Sequence, residues 1–220
     1  MPEIVSRDAW LKARRALLRD EKALTRYRDY VAARRREMPW VEIDKPYRLA
    51  GERGIESLAD LFQGRSQLIV YHFMYGTDWE LGCDGCTQVA DSFNQSIPYL
   101  EMRDISLVAV SRAPLDKLLA YRERMQWTFR WYSSAESDFN FDFHASYEHP
   151  ETSLKSYNFE EVELALDESH GHSVFVRQDG KIYHTYSCYA RSADALMMNL
   201  QYQDLTPFGR PEPDNVSRRA

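Results

Sequence analysis

The sequence has only three cysteines, no apolar run of membrane-spanning length and no internal repeat. Cys83, Cys86 and Cys188 are too few, and odd in number, for the disulfide framework of a small secreted domain. No stretch approaches the ~18 apolar residues of a membrane span. The N-terminus, Met1 to Asp8, carries no apolar signal-peptide core. No second Cys-x-x-Cys and no spaced histidine pair completes a zinc finger. These absences lead us to expect a soluble, cytoplasmic protein with no metal or cofactor, and no membrane partner. With 44% apolar and 28% charged residues, disorder and fibrous repeats are excluded for the chain as a whole. Its 220 residues suit one domain plus an extension.

The net charge of −6 is unevenly spread. Residues 1–37 carry eleven Lys/Arg against six Asp/Glu, whereas residues 38–220 carry 17 against 28. Trp10, Leu17, Leu24 and Val31 recur every seven residues, which predicts one amphipathic helix. Ser6 is placed to cap it, and Met38-Pro39 to end it. Acids break up the basic blocks, including Arg34-Arg35-Arg36, so no nucleic-acid partner is expected. A helix of ~30 residues would be about 45 Å long. That exceeds the core of one domain, so residues 1–39 are expected to form a helical arm through which the chain makes a homodimer.

The rest predicts an α/β body over residues 40–206 and a loose tail over 207–220. Residues 40–56 carry hairpin turn chemistry, and Ser57 to Phe62 a short capped helix. Gln67 to Met74 and Ile105 to Ser111 are nearly continuous apolar runs, the pattern of strands buried on both faces. A helix is expected after each, over 86–100 and from Pro114 to Met125. Residues 127–170 form an aromatic-rich insertion in which Phe139 to Phe143 alternates like a strand, with a packed loop as the alternative. Ser173 to Gln178 and Lys181 to Tyr186 form a hairpin about Asp179-Gly180, and Ala193 to Tyr202 a final helix. Strand, helix, strand, helix, insertion, hairpin, helix is the order of a thioredoxin-like mixed sheet flanked by helices.

Cys83-Asp84-Gly85-Cys86 falls between the first buried strand and the helix after it. Free N–H groups and the positive dipole end favour a thiolate there. The first cysteine of such a pair is the more exposed, so Cys83 is expected to attack and Cys86 to resolve. Asp84 works against the thiolate by its charge.

Tyr71-His72-Phe73-Met74-Tyr75-Gly76, Asp78-Trp79, Gly82 to Cys86, Ser111-Arg112-Ala113-Pro114, Asp138 to Phe143 and His184-Thr185-Tyr186-Ser187 together carry a family resemblance. Over nearly its whole length the chain resembles the thioredoxin-like superfamily, in its bacterial branch catalogued as domain of unknown function 899. The resemblance implies dithiol–disulfide oxidoreductase activity on a protein or small-molecule disulfide. Thioredoxins carry a cis-proline beside the disulfide; counting back from Asp179-Gly180 puts His172 at that position and Ser173 after it. His172 is therefore a candidate catalytic residue, and Trp79, Ser173 and Arg112 are candidate substrate contacts.

Other readings compete. A thiol peroxidase would use Thr77 and Arg112, although Thr77 stands six residues before Cys83. A structural zinc site would recruit Cys188, His72, His184 or the His170/His172 pair. A non-catalytic binding module would leave the thiols inert, and Cys188 is read as a buried filler. The arm is the separable part: deleting residues 1–37 should change the oligomeric state measured by size exclusion with light scattering, and an unchanged oligomer would dismiss the dimer.

Overall fold

The computed structural model describes residues 2–148 and 154–210, and the chain divides into two compact units, Met1–Pro39 and Trp40–Ala220. The first unit is helix α1, Arg7–Arg36. The Ser6 side chain accepts from the Ala9 N–H at 3.3 Å. Asp8 in the first turn and Arg34, Arg35 and Arg36 in the last complement the helix dipole. None of its residues is buried. Of the tail expected over 207–220, residues 211–220 lie outside the described residues.

The second unit is built on one eight-stranded mixed sheet of β1 (Val41–Glu42), β2 (Arg48–Gly51), β3 (Gly54–Ser57), β4 (Gln67–His72), β5 (Ile105–Ser111), β6 (Trp131–Ser133), β9 (Gly171–Gln178) and β10 (Lys181–Tyr189). The spatial order is β1-β10-β9-β4-β5-β6-β2-β3. A separate hairpin pairs β7 (Leu154–Tyr157) with β8 (Glu160–Glu163). The helices are α2 (Leu58–Leu61), α3 (Asp84–Asn94), α4 (Ile97–Glu101), α5 (Leu115–Met125), α6 (Phe139–Asp142) and α7 (Met198–Gln203), with a 3₁₀ segment over Ala190–Leu196 before α7.

At the centre, β4 and β5 run parallel and β9 antiparallel to β4. The core β5-β4-β9-β10, with α3 and α5 as crossovers, is the thioredoxin-like arrangement the element order leads one to expect. Its outer parallel strand is β6, which comes after α5. Both faces of β4 are covered, which explains its unbroken apolar run. Tyr71, with Phe73 beyond the strand end, faces a cluster with Val89, Ala90 and Phe93 of α3 and Leu118 of α5. Leu68 and Val70 face a second cluster with Leu58 and Leu61 of α2, Phe139 and Phe175.

Three elements depart from the sequence reading. The helix expected over 86–100 is two helices, because Pro98 has no N–H to continue α3 and sits instead in the first turn of α4. Phe139 to Phe143 is a helical turn, with Phe139 and Phe143 four residues apart on one buried face against Tyr47 and Phe175. The final helix begins as a 3₁₀ segment at Ala190. The insertion also holds β6 and the β7–β8 hairpin, which have no sustained period in the sequence.

His72 and His172 are both buried, and burial lowers each to about 3 from an ordinary 6.5. Unfolded, each takes up a proton as the pH falls below about 6.5; folded, it does so only near 3. Between those values the unfolded state binds more protons, so stability falls with falling pH, by up to ~1.4 kcal/mol per pH unit for each histidine. Urea unfolding between pH 7 and pH 4 should show that loss. In His172→Phe the slope should shrink by about one histidine's share, and an unchanged slope would refute the assignment.

Candidate dithiol site

Past the end of β4 the chain turns back beneath its own loop. The Cys83 N–H donates to the Met74 carbonyl at 3.0 Å, and the Met74 N–H points at Cys86 Sγ at 3.4 Å. Gly82 makes this approach possible: a Cβ there would fall 2.6 Å from the Phe73 ring. Cys83 is the N-cap of α3, in extended conformation, so its side chain lies at the helix start. Its carbonyl accepts from both the N–H and the hydroxyl of Thr87, each at 3.0 Å. The Thr87 hydroxyl also meets the Tyr121 hydroxyl at 2.9 Å, tying α3 to α5.

The two thiols are free and unequal. Cys83 is partly exposed, and its pKa is lowered to about 6. The first cause is a hydrogen bond from the Cys86 thiol, followed in the same direction by the backbone N–H groups of Cys86 and Gly85. Partial burial opposes them, and the Asp84 charge opposes them least. The expected penalty from Asp84 is thus present but outweighed. Cys86 is 2% exposed, and burial pushes its thiol well above its ordinary value. The fully buried Tyr71 hydroxyl lies beside it and is raised in turn, first by burial and then by the Cys86 charge.

Both cysteines open on a cavity of about 370 Å³ between α3 and the segment from Ala190 to Leu200. The cavity falls within the size range of small-ligand sites. Its wall includes His170, and the Tyr157 hydroxyl braces that wall by donating to the His170 carbonyl at 2.9 Å and accepting from the Ala190 N–H at 2.8 Å.

The sequence-predicted residues fall in different places. His172 pairs with Tyr71 across β4 and β9, and its ring lies 4.7 Å from the Tyr71 ring. It is on the thiol face of the sheet but does not line the cavity; His170, two residues earlier, does. Neutral at pH 7, His172 lends no charge to a thiolate. Ser173, one step along β9, points to the opposite face. It is fully buried between His72 Nε2 and Ser187 Oγ, each at 2.9 Å, so the alternation of the strand removes it from contact with a substrate. Trp79 packs over Gly76 outside the cavity wall. The Arg112 guanidinium lies 4.4 Å over the Phe141 ring and is not part of the thiol cavity wall. Thr77 offers its carbonyl to Lys117, and neither it nor Arg112 lines the thiol cavity. Cys188 pairs in register with His172 and is partly exposed, not the buried filler expected. Among the described residues no three His, Cys, Asp or Glu side chains gather as a metal site, and no helix is long and apolar enough to cross a membrane.

The sequence reading names neither Tyr71 nor Tyr157 as a site residue, and His170 only as a possible zinc ligand. Tyr71 was legible as a strand residue. His170 shares the alternation of His172, and a count shifted by two would have found it. Nothing in the sequence marks Tyr157, which acts across the insertion.

A mixed sheet with a dithiol at the first helix start after its central strand defines a thioredoxin-like protein. The chain belongs to the family described as bacterial protein of unknown function DUF899, whose model matches residues 1–219. No curated protein matches the chain. Similar solved structures include the bacterioferritin comigratory protein of Xanthomonas campestris, described for its alkyl peroxide reduction activity (16% identity, TM-score 0.48, covering 75% of this chain and 95% of that one). Peroxidoxin BcpB of Mycobacterium tuberculosis is similar at 14% identity and TM-score 0.47, covering 75% and 97%. A putative thiol:disulfide interchange protein DsbE of Chlorobium tepidum is similar at 12% identity and TM-score 0.43, with the same coverage.

Titration by thiolate absorbance should place Cys83 near 6. Asp84→Asn should lower that midpoint. Cys86→Ala should raise it by removing the main donor, and Cys86→Ser should raise it less. A midpoint unmoved by Cys86→Ala would show that the helix amides alone set the thiolate.

Proposed function

We propose that the chain is a dithiol–disulfide oxidoreductase in which Cys83 attacks and Cys86 resolves. The observation that carries this reading is the inequality of the pair: a partly exposed cysteine at the helix N-cap beside a buried one, both on the wall of one cavity.

In the reaction, the Cys83 thiolate attacks one sulfur of a substrate disulfide. The substrate S–S bond breaks; one half leaves as a thiolate and takes up a proton, and the other stays on Cys83 as a mixed disulfide. Once Cys83 is bonded to substrate it no longer accepts the Cys86 hydrogen bond. The Cys86 proton passes to solvent or to the departing thiolate, and its sulfur attacks Cys83 Sγ. The Cys83–Cys86 bond forms and the second half of the substrate leaves as a thiol. The substrate gains two electrons and two protons, and an external dithiol returns the protein to its starting state. The Met74 N–H and the Tyr71 hydroxyl, both beside Cys86, favour its anion during the second attack.

Insulin reduction with dithiothreitol should depend on Cys83: Cys83→Ser should lose the protein-dependent rate, and Cys86→Ser should accumulate the mixed disulfide. The rate of the first attack should rise with pH through about 6 and then level, following the Cys83 anion. Activity that survives Cys83→Ser would exclude the reading.

A further inference from the structure

Thiol chemistry alone does not choose a substrate, but the shape and charge of the space in front of the thiols do. The pair lies in the wall of a cavity of about 370 Å³, not on a flat face. Most of the lining is apolar: Tyr71, Val89, Ala193, Met197 and Leu200 all belong to the buried cluster of this face. The charged groups on the wall, Arg191 and Asp194, are already compensated. Asp194 Oδ2 is met by Arg191 Nε at 3.2 Å and by Arg210 Nη1 at 2.8 Å, and Arg210 also holds Asp204 at 2.6 Å. Two cations therefore face two carboxylates, and the rim offers no net charge to a charged substrate. Burial lowers His170, so it is neutral at pH 7 as well. The wall is preformed, because Tyr157 joins His170 to Ala190 across it.

We infer that the substrate is a small, uncharged disulfide whose apolar half fills the cavity between α3 and the Ala190–Leu200 segment. This deepens the oxidoreductase reading and rests on it. Transfer of the apolar half into the cavity removes it from water and holds its sulfur at Cys83, an advantage that cystine, glutathione disulfide and insulin do not gain.

The test is single-turnover oxidation of the reduced full-length protein. Dipropyl disulfide is compared with glutathione disulfide, cystine and insulin, each rate divided by that of the same disulfide with free mercaptoethanol thiolate. Dipropyl disulfide should lead by at least about tenfold, the usual order for filling an apolar pocket. Gln88→Trp, on the partly exposed edge of α3, fills the cavity and should bring the ratio towards one. In that variant, a pH midpoint for iodoacetamide alkylation of Cys83 that stays near 6 reports that the site is still formed. Equal normalised rates in the native protein overturn the inference on their own. A ratio unchanged in an alkylatable Gln88→Trp protein overturns it too. If iodoacetamide alkylates Cys83 but no disulfide oxidises it, the oxidoreductase reading itself has failed, which is a different result from lost selectivity.

Discussion

Strand β4 is covered on both faces, and the position of the dithiol follows from that. Its Tyr71 face packs on α3 and α5, and its Val70 face packs on α2 and Phe175. A strand so enclosed can deliver the chain only at its end, where backbone polar groups need partners. Here the Met74 N–H and carbonyl meet Cys86 and Cys83. The Cys83 backbone N–H and the Cys86 sulfur thus take part in satisfying the exit of the central strand. The register of β4 against β9 then sorts everything else: Tyr71 and His172 on the thiol face, Val70 and Ser173 on the other.

The second face carries a polar chain of its own. His72, Ser173, Ser187 and His184 are linked in sequence at 2.9, 2.9 and 2.8 Å across β4, β9 and β10. His72 stacks on Phe139 and Phe143 of the insertion. Buried polar groups of this kind are tolerated because they bond to one another. They also hold the β9–β10 hairpin against the central strand, while the insertion covers the chain from water. The insertion serves the thiol face as well, through Tyr157. One segment therefore closes the core on one side of the sheet and shapes the cavity on the other.

Within the pair, opposite shifts come from a difference in access. Both thiols meet hydrogen bonds and both lose solvent. At Cys86 burial is complete and desolvation dominates. At Cys83, the N-cap, desolvation is partial and donors outweigh it. The Asp84 charge opposes the thiolate but ranks behind the donors there.

Local patterns carried much of this in the sequence. The period-seven stripe from Trp10 to Val31, with Ser6 before it and Met38-Pro39 after it, marks α1, because an exposed helix is set by its own propensities and caps. The unbroken apolar runs mark β4 and β5, and Asp179-Gly180 marks the hairpin; both reflect rules acting within a few residues. Cys83 and Cys86 were legible for the same reason, since a Cys-x-x-Cys at the start of the helix that follows a buried strand is a local feature. What sits around them was not. Phe139 and Phe143 alternate on paper yet fold as a helical turn, because their burial partners, Tyr47 and Phe175, lie far away in the chain. Ser173 and His172 are neighbours in sequence but separated by the sheet. Residue type and local spacing determined the element order and the reactive pair. Strand register and long-range packing alone decided which histidine lines the thiol cavity, that Arg112 and Thr77 do not, and that an apolar cavity stands in front of Cys83.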